Sequence, residues 1–193
     1  MTLDFLKKEI SVAAKTVYFD QNDFLREKSN DPTLLRKTIT LIEAHLNCDS
    51  VTEDKRDMLV GTLGNFYRII GEPIHAIKLF NSCLNQSVNQ ANPHIEIVSL
   101  IRLGEALKYN NQHQDALNRF NIALKKCRLN QIDKYKDFVL QHKGKCLMEL
   151  NRLNEAEQCF EAALNLRLKK EDPTLIHSTN LAIELVRSIN KEK

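Results

Sequence analysis

Apolar residues along most of this chain fall three or four positions apart, the spacing that lines one face of a helix. Leu3, Leu6, Ile10, Ala13 and Val17 form one such stripe, and Leu35, Ile39, Ile42 and Leu46 form another. Leu100, Leu103 and Leu107 are followed, after Asn110-Asn111, by Leu117, Phe120 and Leu124. Leu181, Ala182, Leu185 and Val186 lie on a last stripe. The pattern predicts helices over 3–18, 21–28, 32–47, 53–70, 73–87, 93–109, 112–128, 133–149, 152–169 and 173–189. Helix starts are marked by Asp31-Pro32, Asn92-Pro93 and Asp172-Pro173, each an N-cap followed by proline at the first helical position. Ser50 with Glu53 reads as a capping box.

The stripes repeat with a fixed period of 40. Gly64, Gly104 and Gly144 share one column. Ala76, Ala116 and Ala156 share a second, Phe80, Phe120 and Phe160 a third, and Leu84, Leu124 and Leu164 a fourth. Between the two stripes of each copy stand Gly71, Asn111 and Asn151, residue types that tolerate the left-handed conformation at a helix end. Each copy therefore reads as a helix–turn–helix hairpin. The glycine and alanine columns let two helix backbones approach, and the phenylalanine is expected to fill the space between hairpins. Gly61 has no such role in the repeat.

The spacing Val60-x2-Leu63-Gly64-x2-Tyr67 followed by Ala76-x3-Phe80 resembles the tetratricopeptide repeat. Leu100-x2-Leu103-Gly104-x2-Leu107 with Ala116-x3-Phe120 repeats it, and Leu140-x2-Lys143-Gly144-x2-Leu147 with Ala156-x3-Phe160 departs at one position. The longer period is similar to the repeats of kinesin light chains and of Gram-positive peptide-pheromone receptors. The resemblance implies an all-α fold, a right-handed superhelical solenoid of antiparallel helix hairpins with nine or ten helices. Residues 1–193 would form one repeat domain: N-terminal helices of a degenerate layer over 1–56, repeats over 57–91, 97–131 and 137–170, and a capping helix over 172–193. It also implies a concave groove that binds a protein or peptide, lined by the first helix of each hairpin. The residues assigned to that groove are Asn65, Arg68, Ile101, Arg102, Glu105, Lys108, Tyr109, Phe138, Gln141, His142 and Lys145. Asn65 matches one residue of the carboxylate clamp of chaperone-binding members, but Gly61, Val98, Phe138 and His142 do not rebuild the rest.

Composition narrows the field further. Five glycines and four prolines are far fewer than the turns of a sandwich, barrel or propeller need. A charged fraction of 27% and a hydrophobic fraction of 42% suit a globular chain. The net charge is +3; residues 1–96 hold 11 Lys/Arg against 13 Asp/Glu, and residues 97–193 hold 17 against 12. Arg119, Lys125, Lys126, Arg128, Lys134, Lys136, Lys143 and Lys145 face only Asp133 and Asp137, which leaves open a solvated rim, an acidic partner or RNA. No apolar run is long enough to span a membrane. Five cysteines without a CxxC argue for a reducing compartment, and the cytoplasm is the expected one.

No catalytic motif, phosphate loop, cofactor site or metal site is expected. His142, Cys146 and Cys159 could approach one another but lack a fourth zinc ligand, and the cysteines read as buried packing. Asp133 and Asp137 read as part of a solvated face rather than as an acid–base pair. The expected role is a non-enzymatic scaffold, adaptor or regulator. A peptide-sensing regulator, an enzyme accessory subunit, an RNA-binding repeat protein and a self-associating solenoid stay open as alternatives.

Overall fold

All three Asn/Asp–Pro pairs cap helices. Asn92 accepts from the backbone N–H of His94 and Ile95, Asp172 from Thr174 and Leu175, and Asp31 from Leu34. The structure, a computed structural model, describes residues 2–48 and 51–191. Ser50 of the expected capping box lies outside the described residues; the helix there begins at Glu53 behind Thr52.

Nine α-helices are present among the described residues: α1 (Leu3–Ala14), α2 (Pro32–Leu46), α3 (Glu53–Ile69), α4 (Pro73–Asn89), α5 (Pro93–Tyr109), α6 (His113–Leu129), α7 (Lys136–Glu149), α8 (Leu153–Lys170) and α9 (Pro173–Lys191). Each packs on the next in sequence, and α3, α5, α7 and α9 also touch in series. This is a solenoid of helix hairpins with α3, α5 and α7 side by side along one face. No helix among the described residues is long and apolar enough to cross a membrane.

The glycine column explains the hairpin crossing. A Cβ on Gly64, Gly104 or Gly144 would stand 2.3–2.5 Å from the ring of Phe80, Phe120 or Phe160. The phenylalanine thus fills space inside its own hairpin, over the glycine, rather than between hairpins. Gly104→Ala is expected to lower stability by about 1–3 kcal/mol through overpacking, partly offset by better helix propensity. Adding Phe120→Leu should recover part of that loss, measured by denaturant unfolding.

The turns within the three repeats are three residues long, 70–72, 110–112 and 150–152, and Gly71, Asn111 and Asn151 all take positive φ as expected. Ala91, Gln131 and Glu171, also 40 apart, do the same between hairpins. The first layer departs from this plan. The helices expected over 3–18 and 21–28 are instead α1, ending at Ala14, and a β-hairpin of β1 (Val17–Asp20) and β2 (Arg26–Ser29) joined through a 3-10 turn. Strand pairing is antiparallel, with Val17 opposite Ser29 and Asp20 opposite Arg26. Thr16-Val17-Tyr18-Phe19 is a β-branched and aromatic run that favours strand, and the Asp20 carboxylate accepts from Asn22 N–H to make the turn. The connection from α1 to α2 therefore spans residues 15–31, where the other hairpins use three.

Two apolar clusters hold the molecule. Leu6, Ala13, Leu35, Ile39, Ile42, Leu59, Leu63 and Phe66 join α1, α2 and α3. The larger cluster runs through α4 to α9 and includes Leu25 from the β-hairpin tip.

Candidate functional site

The β-hairpin springs from the same end of the solenoid as the three short turns. It lies across the C-terminal ends of α3, α5 and α7, on the face where those helices meet. The expected concave groove is therefore divided in two.

At the turn end, four of the expected groove residues are covered by the hairpin. Arg68, 2% exposed, donates to Glu27 at 2.5 Å and stands 3.8 Å from Glu105. Lys108 donates to Glu149 at 2.8 Å. Tyr109 accepts from the Glu27 backbone N–H through its hydroxyl, and its ring lies under the cations of Arg26, Arg68 and Lys108. Lys145 donates to the Leu25 carbonyl at 3.1 Å and sits over the Phe19 ring. A fifth expected residue, Gln141, is also buried.

Glu149 is the anion that gathers this half. Arg26 reaches it through Nε at 3.1 Å and Nη2 at 2.6 Å, a bidentate pair, and His113 Nε2 lies 2.8 Å away. Burial alone would raise its carboxyl, but the hydrogen bond from Arg26 and the charge and hydrogen bond of Lys108 outweigh that and hold it at about 2. Burial, reinforced by the like charge of Lys108, pushes the Lys145 ammonium down to about 8. Burial likewise raises the Tyr109 hydroxyl, against the charge of Arg68.

At the opposite end the face is open. Asn65, Ile101, Arg102, Glu105, Phe138 and His142, the other six expected residues, line a cavity of about 380 Å³ with Val98 and Tyr135. A second cavity of about 210 Å³ shares Val98, Arg102 and Tyr135 with it and extends to Met58, His94 and Ile95. Together they form one depression across α3, α5 and the start of α7. Arg102 stands between its two parts. A Cβ on Gly61 would lie 2.6 Å from the Arg102 guanidinium carbon, so this glycine makes the seat for that side chain. Burial lowers the Arg102 pKa. Glu105 Oε1 lies 2.9 Å from His142 Nδ1. Against the burial that would raise it, the charges of Arg68 and His142 hold the Glu105 carboxyl well below the usual range.

Other charged residues depart from their expected places. Asp137 is not on a solvated face: it is fully buried, bound by Arg167 Nε at 3.1 Å and Lys170 Nζ at 2.5 Å. Arg167 also donates to the Leu175 carbonyl and to the Ser178 and Thr179 hydroxyls, tying α8 to α9. The basic run from Arg119 to Lys145 is broken up, with Lys126 paired to Glu96, Lys136 to Asp133, and Lys145 under the hairpin. Cys146 is buried and burial pushes its thiol up to about 12. Among the described residues no three His, Cys, Asp or Glu side chains are grouped to hold a metal ion.

Leu25, Arg26 and Glu27 carry no groove signal in the sequence, where the pattern predicts a helix over 21–28. Nothing in the repeat marks the column of Tyr135 either.

Residues 139–170 match the sequence model of the tetratricopeptide repeat. No curated protein matches the chain in sequence. Among solved structures, TPR-like repeats described as a Podosopora anserina kinesin light chain superpose with a TM-score of 0.63 at 13% identity, covering 97% of this chain and 87% of that one. BtubC (BKLC) from P. vanneervenii gives 0.62 at 15% identity, covering 97% and 84%. Bacillus thuringiensis PlcR, solved with the peptide PapR7 and DNA, gives 0.55 at 18% identity, covering 74% and 54%. The fold is thus the tetratricopeptide-like solenoid that residues 57–170 resemble in sequence, with a β-hairpin set into its first layer.

Proposed function

We propose that this protein is a non-enzymatic interaction module that binds a segment of another protein, or a peptide, in the open half of its concave face. The observation that carries this reading is the continuous depression lined from three successive layers by Asn65, Val98, Ile101, Arg102, Glu105, Phe138 and His142. Apolar walls with a few convergent polar groups suit an amphipathic segment: side chains anchor against Val98, Ile101 and Phe138, and polar groups meet Asn65, Arg102 and Glu105. The depression carries both signs of charge, so the partner is read as amphipathic rather than acidic. Regulation by a bound peptide is the second reading. Its support is the likeness in fold to PlcR, a protein solved with a peptide and DNA.

Selection of a random peptide library on the immobilised full chain tests the first reading. Selected peptides should bind the combined variant Arg102→Ala, Phe138→Ala and His142→Ala at least about 10-fold more weakly. Ile122→Ala, exposed on α6, should leave binding unchanged. Equal binding by the triple variant would overturn the assignment.

A further inference from the structure

The β-hairpin is held in the way a ligand is held. Two paired strands of four residues are marginal on their own in water. At its tip Phe24 and Leu25 both take positive φ, at 52° and 57°, a conformation that is unfavourable for bulky residues. The groove contacts offset that cost, and they concentrate on three consecutive residues. Leu25 buries its side chain in the repeat core rather than in the N-terminal cluster, and its carbonyl accepts from Lys145. Arg26 makes the bidentate pair with Glu149. Glu27 binds Arg68 through its carboxylate and Tyr109 through its backbone N–H. The side chains of Lys145, Glu149 and Arg68, the charged partners of this triplet, are themselves buried, while Arg26 also donates to the exposed Asn111 side chain. Each chemical group of the triplet meets its complement: guanidinium on carboxylate, carboxylate on guanidinium, carbonyl on ammonium.

We infer that the turn end of the concave face is a binding site for a short segment of the form aliphatic–arginine–glutamate, and that the hairpin is its intramolecular ligand, exchangeable with a free segment of the same sequence. This site is separate from the open depression and does not depend on what that depression holds. Because the hairpin is tethered, its effective concentration is in the millimolar range for a short connection, so a free segment competes only at millimolar concentration or when the hairpin is weakened.

The probe is a fluorescein-labelled synthetic peptide of residues 15–31. The receptor is the full chain carrying Arg26→Ser and Glu27→Ser, which alter the hairpin and leave every helix intact. The receptor should keep the helical circular dichroism of the unaltered chain and bind the peptide. The unaltered chain should bind it at least about 100-fold more weakly. Replacing the peptide's arginine by alanine, or Glu149 of the receptor by glutamine, should each weaken binding roughly 10-fold or more. Making both changes should weaken it little further than one. A peptide that fails to bind the folded receptor, or binds regardless of its arginine, overturns the proposal. Should the receptor lose helicity, amide exchange on the unaltered chain decides instead. Millimolar peptide should speed exchange of the Glu27 N–H, and an unchanged rate would count against exchange of the hairpin.

Discussion

Glu149→Ala is expected to lower the unfolding free energy by about 3–5 kcal/mol, because it strips the shared counter-charge from cations that are already out of water. Lys108 is 1% exposed and Arg26 is largely covered, and both point at this carboxylate, as does His113. For a chain of this size the melting temperature should fall by roughly 10 °C. Glu149→Gln keeps an acceptor oxygen and should cost less. The same interaction predicts an acid transition. The Glu149 carboxyl ionises at about 2 when folded, against an ordinary value of 4.5. Its contribution is therefore complete above about pH 4.5 and is lost as pH falls from there toward 2, amounting to about 3 kcal/mol. Denaturant midpoints across that range should fall for both proteins, because Glu105 is also held low, but less steeply for Glu149→Ala.

Asp137→Ala is expected to be as damaging, about 3–5 kcal/mol, with a different first casualty. Asp137 is fully buried and is the only carboxylate paired with Arg167 among the described ion pairs. Without it, the guanidinium stays buried against three neutral acceptors on α9, the Leu175 carbonyl and the Ser178 and Thr179 hydroxyls. Arg167 should then swing toward solvent and release them. Amide exchange should rise across 173–191 before it rises in α5 or α6. Substitution at Asp133, an exposed carboxylate one turn earlier, should stay within about 0.5 kcal/mol.

The solenoid is legible in the sequence because the chemistry that fixes it is local and periodic. A glycine under a phenylalanine and a Gly or Asn at a left-handed turn each act within one hairpin and recur at 40, and the Asn92-Pro93 start recurs two periods on as Asp172-Pro173. The turns between hairpins were harder to see. Ala91, Gln131 and Glu171 adopt positive φ although none of these residue types favours it; at the first two the following N–H, of Asn92 or Ile132, bonds back to the Ser87 or Cys127 carbonyl and closes the helix end. The hairpin was concealed by continuity: Val17 completes the helical stripe begun at Leu3, and only the Thr16–Phe19 run and the Asp20 turn oppose it. The burial of Asp137 is concealed for a related reason. Its neighbours Lys134 and Lys136 suggest solvent, while the partners that bury it lie about 30 residues away on α8. The expected groove residues all lie on α3, α5 and α7, but their accessibility depends on Leu25-Arg26-Glu27, up to 123 residues distant in sequence. No pattern on α3, α5 or α7 reports that.

The chain's own β-hairpin occupies the turn end of the face formed by α3, α5 and α7 and leaves the other end open. A double-mutant cycle on Arg26→Ala and Glu149→Ala, read by denaturant unfolding, tests it most directly. The two losses should be strongly non-additive, with a coupling of about 2 kcal/mol. Additivity within about 0.5 kcal/mol would mean that the hairpin does not dock there.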